Sequence, residues 1–259
     1  MAGLLTLTIG LASCDVSNSG GQSKGKLKVL LHDAPASYQK VMVDIQKVEV
    51  KSESDTTGWH NIMDTPKRVN LLDLVNGTFE ELGSINLDSG VYHQIRLILG
   101  DNNSVTVNDQ TYQLKVPSGQ QTGIKLNVNA EIKEGITYTL MLDFDASRSV
   151  VRRGNAKHNN GYLLKPVITA ENKALTGNIS GTVNPADTKP WVYAVAGEDT
   201  VATTKADTSS GEFTLVGLTG GTYNVAIIPT NTSYQDTTIS DVQVSVGEST
   251  DIGTIDYTN

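Results

Sequence analysis

Cysteine is almost absent from this chain: Cys14 is the only one in 259 residues. An intramolecular disulfide and a cysteine-built metal site are therefore both excluded. Aromatic residues make up only 5% of the chain, so aliphatic side chains must supply most of any core. A helix that spans a membrane needs about 20 apolar residues, and the run Leu4 to Ala12 is too short for that. Basic residues nearly vanish after position 173. Only Lys189 and Lys205 remain there against 10 acidic residues, while residues 1–173 carry 18 of each sign. This imbalance accounts for the whole net charge of −8. Nucleic-acid binding calls for a basic face, so that partner class is set aside, and the charge step marks a boundary near residue 173. Catalytic signatures are missing as well: there is no glycine-rich phosphate loop, no Gly-x-Ser-x-Gly and no His-Glu-x-x-His. His32, His60, His93 and His158 are scattered without metal-ligand spacing.

What the sequence does contain begins at the lone cysteine. Leu11-Ala12-Ser13-Cys14 ends a short apolar run and precedes a polar stretch rich in glycine and serine. Seven to fifteen apolar residues closing on small ones form the core of a secretory signal. With the cysteine placed here, residues 1–14 resemble a bacterial lipoprotein signal, which implies cleavage before Cys14 and lipidation of its sulfur. No Lys or Arg precedes Leu4, so the basic start of such a signal is expected upstream of Met1. Two or more acyl chains anchor stably where one holds marginally. Residues 15–25 then read as a flexible tether reaching on the order of 20 Å. The partner implied is a membrane, and the location a cell envelope, taken as the outer membrane of a Gram-negative bacterium.

Residues 26–171 show period-2 alternation, the mark of half-buried strands. Ile124, Leu126, Val128, Ala130 and Ile132 alternate with polar residues, as do Ile136, Tyr138, Leu140, Leu142 and Phe144. Lys133-Glu134-Gly135 lies between these runs and predicts a hairpin. Further strands are expected at Lys26–Leu31, Val41–Lys51, Tyr92–Leu99, Ser104–Val107, Tyr112–Val116 and Leu163–Ala170; only Asn70–Leu82, interrupted by Asn76-Gly77, has room for a short helix. A sandwich is favoured over a barrel. The order of Leu31-His32-Asp33-Ala34-Pro35, Gly58-Trp59, Leu71-Leu72-Asp73-Leu74, Gly90-Val91-Tyr92, Asp143-Phe144-Asp145-Ala146 and Tyr162-Leu163-Leu164-Lys165-Pro166 resembles the domain of unknown function 4382 family. His32 stands where the resemblance implies threonine. The resemblance implies a β-domain in a secreted lipoprotein and no activity.

Residues 174–259 open a second β pattern. Leu175–Val183, Trp191–Val195, Glu212–Leu215 and Tyr223–Ile227 read as strands, followed by Val242–Val246 and Thr250–Ile255. Gly211, Gly220-Gly221 and Gly247 supply the turns. This run resembles the carboxypeptidase regulatory-like domain, which implies a seven-stranded transthyretin-like sandwich and no peptidase chemistry. The fold expected for the chain is all-β: two immunoglobulin- or transthyretin-like sandwiches in tandem.

Two sets of side chains are candidates for binding. Asp143 and Asp145 share one strand face, and Asp33 joins them if its strand lies alongside, a carboxylate set suited to Ca²⁺. No other cofactor is implied. Arg96, Arg148, Arg152 and Arg153 are candidates for an anionic ligand, the last three in a basic loop, Ser147–Gly161. The function that fits is a lipid-anchored, non-enzymatic envelope protein that binds a glycan or protein, adheres or scaffolds. The alternative is Ca²⁺ or small-ligand capture through Asp33, Asp143 and Asp145, and a hydrolase-associated role comes third.

Overall fold

The computed structural model describes residues 23–52, 58–117, 123–155 and 158–257. Cys14 and most of the stretch expected to be a tether lie outside the described residues. The chain runs first through β1 (Lys24–Ala34), β2 (Lys40–Ser52), β3 (His60–Asn61) and β4 (Lys67–Asn70). After a 3₁₀ turn at Leu71–Asp73 come β5 (Glu80–Asp88), β6 (Gly90–Leu99), β7 (Ser104–Val107) and β8 (Gln110–Lys115). Then follow β9 (Ile124–Ile132), β10 (Thr137–Asp145), a single helical turn α1 (Ala146–Ser149), β11 (Val150–Asn155), β12 (His158–Leu164) and β13 (Ile168–Asn172).

These strands build one sandwich. Its smaller sheet has the order β13-β10-β1-β5, and its larger sheet β11-β12-β8-β7-β2-β6-β9, with β3 and β4 paired to β2. Alternation explains the core. Leu27, Val29 and Leu31 of β1, with Leu140, Leu142 and Phe144 of β10, face Val41, Val43, Val48 and Val50 of β2, and all are buried. Strands whose apolar residues recur every second position can bury one face of a sheet only against another sheet.

A 3₁₀ turn at Lys173–Leu175 leads into the second set: β14 (Thr176–Asn184), β15 (Trp191–Ala196), β16 (Asp199–Lys205), β17 (Glu212–Thr219), β18 (Gly221–Ile228), β19 (Thr237–Val244) and β20 (Ser249–Asp256). They form sheets β17-β14-β20 and β16-β15-β18-β19 around a separate core of Ile179, Val192, Phe213, Val225 and Ile227. Gly211 (φ +76°) turns the chain into β17 and packs against the Val183 carbonyl, where a Cβ would clash. No helix among the described residues is long and apolar enough to cross a membrane.

Four expectations need correction. First, β9 and β10 are not a hairpin: β9 pairs with β6, whereas β10 pairs with β1 and β13. Their Lys133–Gly135 connection crosses between the two sheets, with Gly135 N–H donating to the Lys24 carbonyl. Equal alternation serves a hairpin and a sheet-crossing corner alike. Second, Asn70–Leu82 holds a 3₁₀ turn and the start of β5 in place of a helix. Third, Leu163–Ala170 divides at Lys165-Pro166 into β12 and β13, which belong to different sheets. Proline lacks the N–H that a continuous ladder needs. Fourth, the Ser147–Gly161 segment is largely β11 and β12, an antiparallel pair.

Candidate functional site

The parallel pairing of β1 with β10 brings Asp33, Asp143 and Asp145 to one end of the smaller sheet. Its register sets His32 beside Asp143, Asp33 beside Phe144, and Ala34 beside Asp145. Neighbouring residues on a strand point to opposite faces, so this offset separates the aspartates. Asp33 follows Leu31 and Phe144 into the core side, is 2% exposed, and accepts a 2.8 Å hydrogen bond from the Ala146 N–H at the start of α1. Asp143 takes the outer face, 3.7 Å from His32 Nε2. Met141 pairs with Glu171 of β13, which puts Glu171 on that outer face too.

The second sandwich covers this face. Asn76 (φ +58°) lies in the loop before β5 and presents its amide to β17. Its Nδ2 donates to the Glu212 carbonyl at 3.1 Å, and its Oδ1 accepts from the Thr214 N–H. Asparagine tolerates this left-handed conformation better than most residues, and here its side chain pairs with β17 much as a strand would. Gly217 (φ +77°) sits on Met141 and Glu171, so close that a Cβ would lie 2.8 Å from Met141 Cε. A cavity of about 20 Å³ remains in the joint, lined by residues that include His32, Asp33, Asp143, Glu171 and Thr204. A neighbouring cleft of about 210 Å³ adds Asp145, Arg148, Thr169 and Thr200.

Burial dominates the electrostatics. It pushes the Asp33 carboxyl up to about 9 against the pull of the Ala146 hydrogen bond, with Asp143 and Asp145 raising it further. The same cause raises Asp143 to about 6, with help from Asp145 and against a hydrogen bond from the Ala34 backbone. Glu171 is also raised, by burial and then by Asp143. His32 falls to about 4, mainly through burial, although a hydrogen bond involving Asp33 opposes the fall. The Lys173 ammonium contributes to that drop and lies 4.2 Å above the Phe79 ring, which His32 meets edge-on. Among the described residues, Asp33 Oδ2, Asp143 Oδ1 and Thr204 Oγ1 are buried side-chain oxygens without a hydrogen-bond partner. All three residues line the 20 Å³ cavity. A buried carboxyl in such a place keeps its proton because the charged form is costly to desolvate.

The three aspartates of the calcium expectation are not gathered into one oxygen cluster among the described residues. Asp33 Oδ1 is taken by the Ala146 N–H, and Asp145 Oδ1 caps α1, accepting from Ser147 Oγ and the Arg148 N–H. Among the described residues, no three His, Cys, Asp or Glu side chains are grouped so as to hold a metal ion.

The arginines are not brought together either. Arg96, on β6, bonds to Glu49 Oε2 at 2.5 Å and lies 4.3 Å from the Trp59 ring centre. Arg148 is exposed and 3.8 Å from Asp145. Arg152 and Arg153 sit on β11, at the opposite edge of the larger sheet from β9. The set expected for one anionic ligand is thus dispersed over two strands and a helical turn. Sequence reasoning missed Glu171, Thr204 and Asn76. His32 carried one visible signal, its departure from the threonine of the resemblance.

Fold and site together define a tandem β-sandwich protein with a cluster of shifted carboxyls and a histidine at the joint between the sandwiches. Residues 24–166, more than half of the chain, match the family described as Domain of unknown function (DUF4382), and the chain belongs to that family. No curated protein matches the sequence. Among solved structures, the TIE protein of Bacillus anthracis is 14% identical over 91% of this chain, with a TM-score of 0.25; the match spans 34% of that protein. The minor pilin GBS52 of Streptococcus agalactiae is 10% identical, covering 89% of this chain and 94% of the pilin, with a TM-score of 0.23. The major pilin of Streptococcus pyogenes is 11% identical, covering 91% and 98%, with a TM-score of 0.16. Likenesses this distant carry no argument about function.

Proposed function

We propose that this chain is a lipid-anchored protein of the cell envelope with a non-enzymatic role in binding, adhesion or scaffolding. The observation that supports it best is the enclosure of the shifted carboxyls. They share a cavity of about 20 Å³, roughly the room of one water molecule. The adjoining cleft of about 210 Å³ is also below the 300 Å³ or more usual for a small-molecule site. A general acid must reach its substrate; Asp33, 2% exposed, is closed off from one, while Asp143, its side chain 34% exposed, opens only onto that smaller cleft. In this reading, Cys14 carries the lipid and the residues between it and β1 hold the sandwiches off an outer membrane. The second sandwich is a carboxypeptidase regulatory-like module, a reading supported by its seven strands in sheets of three and four.

Protease shaving of intact cells tests this reading, with a periplasmic marker and a Cys14→Ala strain alongside. Digestion of the native protein while the marker survives, with release of Cys14→Ala from the membrane fraction, is the expected result for a surface protein. Retention of Cys14→Ala in the membrane fraction would remove the anchor from the account.

A further inference from the structure

The larger sheet turns its outer face to solvent at its β2–β6–β9 end, and the register there builds an ordered array. Lys51 of β2 lies beside Gln94 of β6, which lies beside Asn127 of β9. One rung along, Glu49 lies beside Arg96, and Arg96 beside Lys125. Strands are about 4.8 Å apart and alternate residues about 7 Å apart, so the five side chains other than the buried Glu49 cover a patch roughly the size of one or two sugar rings. Two features fix it. Gln94 Nε2 donates to Asn127 Oδ1 at 3.4 Å, while Glu49 and Trp59 hold the Arg96 guanidinium by an ion pair and a stacked ring. A cleft of about 510 Å³ opens over Lys51, Gln94 and Asn127, within the range of small-ligand sites.

A solvated antiparallel sheet accounts for polar residues on an outer face. Cross-strand pairs also stabilise a sheet; what points to a ligand is the cleft beside them, where two amides stand next to a lysine with no acid partner among the described residues. Each amide offers a donor and an acceptor together, which is what the neighbouring hydroxyls of a sugar require. Lys51 and Lys125 form no ion pair with an acid among the described residues, on a chain whose net charge is −8. We infer that this face binds an acidic saccharide, with Gln94 and Asn127 taking its hydroxyls and Lys51 and Lys125 its carboxylates. The inference rests on the binding role proposed above and names the ligand class for it.

Calorimetric titration of the purified full chain with trigalacturonate, maltotriose and a short polyglutamate decides the matter. Trigalacturonate is expected to bind saturably and to weaken as salt is added, while the other two give no binding heat. Replacing both lysines, Lys51→Ala and Lys125→Ala, is expected to raise Kd on the order of tenfold, as the loss of two surface ion pairs would. Gln94→Ala, which keeps every charge, is expected to weaken binding as well. No binding of trigalacturonate overturns the inference, and so does equal binding of maltotriose or of polyglutamate. The titration is done in solution, so its failure leaves the envelope reading intact; loss of the anchor in the shaving experiment would leave the titration unaffected.

Discussion

Raising the pH from 6.5 to 8.5 is expected to cost the protein about 3 kcal/mol of stability, and Asp33→Asn to abolish most of that loss. The reasoning follows proton counts. Asp33 is raised to about 9 in the folded chain, so the native state keeps a proton that the unfolded chain has already released. Its stabilising contribution is whole below the unfolded value near 4 and falls as pH rises toward 9. One proton of difference gives a slope of about 1.4 kcal/mol per pH unit. Asp143, raised to about 6, acts in the same direction between roughly pH 4 and 6. His32, lowered to about 4, acts oppositely, because the unfolded imidazole takes up a proton there first. Those two nearly cancel below pH 6, which leaves Asp33 to set the slope above it. Urea melts at half-unit pH intervals measure this. A native profile that is flat from pH 6.5 to 8.5 would show that Asp33 is ionised in the fold.

The second large effect concerns the two cores. Phe144 and Phe213 are among the largest fully buried side chains, one in each core cluster. Truncating a buried phenylalanine removes its transfer free energy and leaves a cavity, at a cost of about 3–5 kcal/mol. Each sandwich carries one of the chain's two tryptophans, Trp59 and Trp191. Phe144→Ala is therefore expected to shift the Trp59 transition to lower urea and leave the Trp191 transition near its native midpoint, with Phe213→Ala doing the reverse. Spectra of single-tryptophan variants follow each transition separately. Equal shifts of both transitions in both mutants would mean that the cores melt as one unit through the Asn76–β17 contact.

Alternation made most of the strands legible. β1, β2, β6 and β10 carry long runs with every second residue apolar, and β7 has the bounds its pattern implies. β5 was hidden because its buried residues, Leu82 and Leu87, fall out of step across a register shift opposite Val29 and Leu30. What alternation does not encode is the pairing partner. Both β9 and β10 have a clean period of two, and only tertiary packing sends them to different sheets. The carboxylate site shows the same limit more finely. Asp33 and Asp143 are far apart in sequence, and a one-residue offset between parallel strands starts them from opposite faces of the sheet, although both line the cavity at its end. Glu171 and Thr204 reach the site only because the second sandwich packs over the smaller sheet, and neither segment carries a mark of that contact.

The claim on which the account most depends is the lipid on Cys14. Mass spectrometry of the N-terminal peptide from membrane-extracted protein tests it most directly. The account predicts a peptide that begins at Cys14 and carries a thioether-linked diacylglyceryl group. A peptide that continues through Ser13-Cys14 with a free thiol would contradict it.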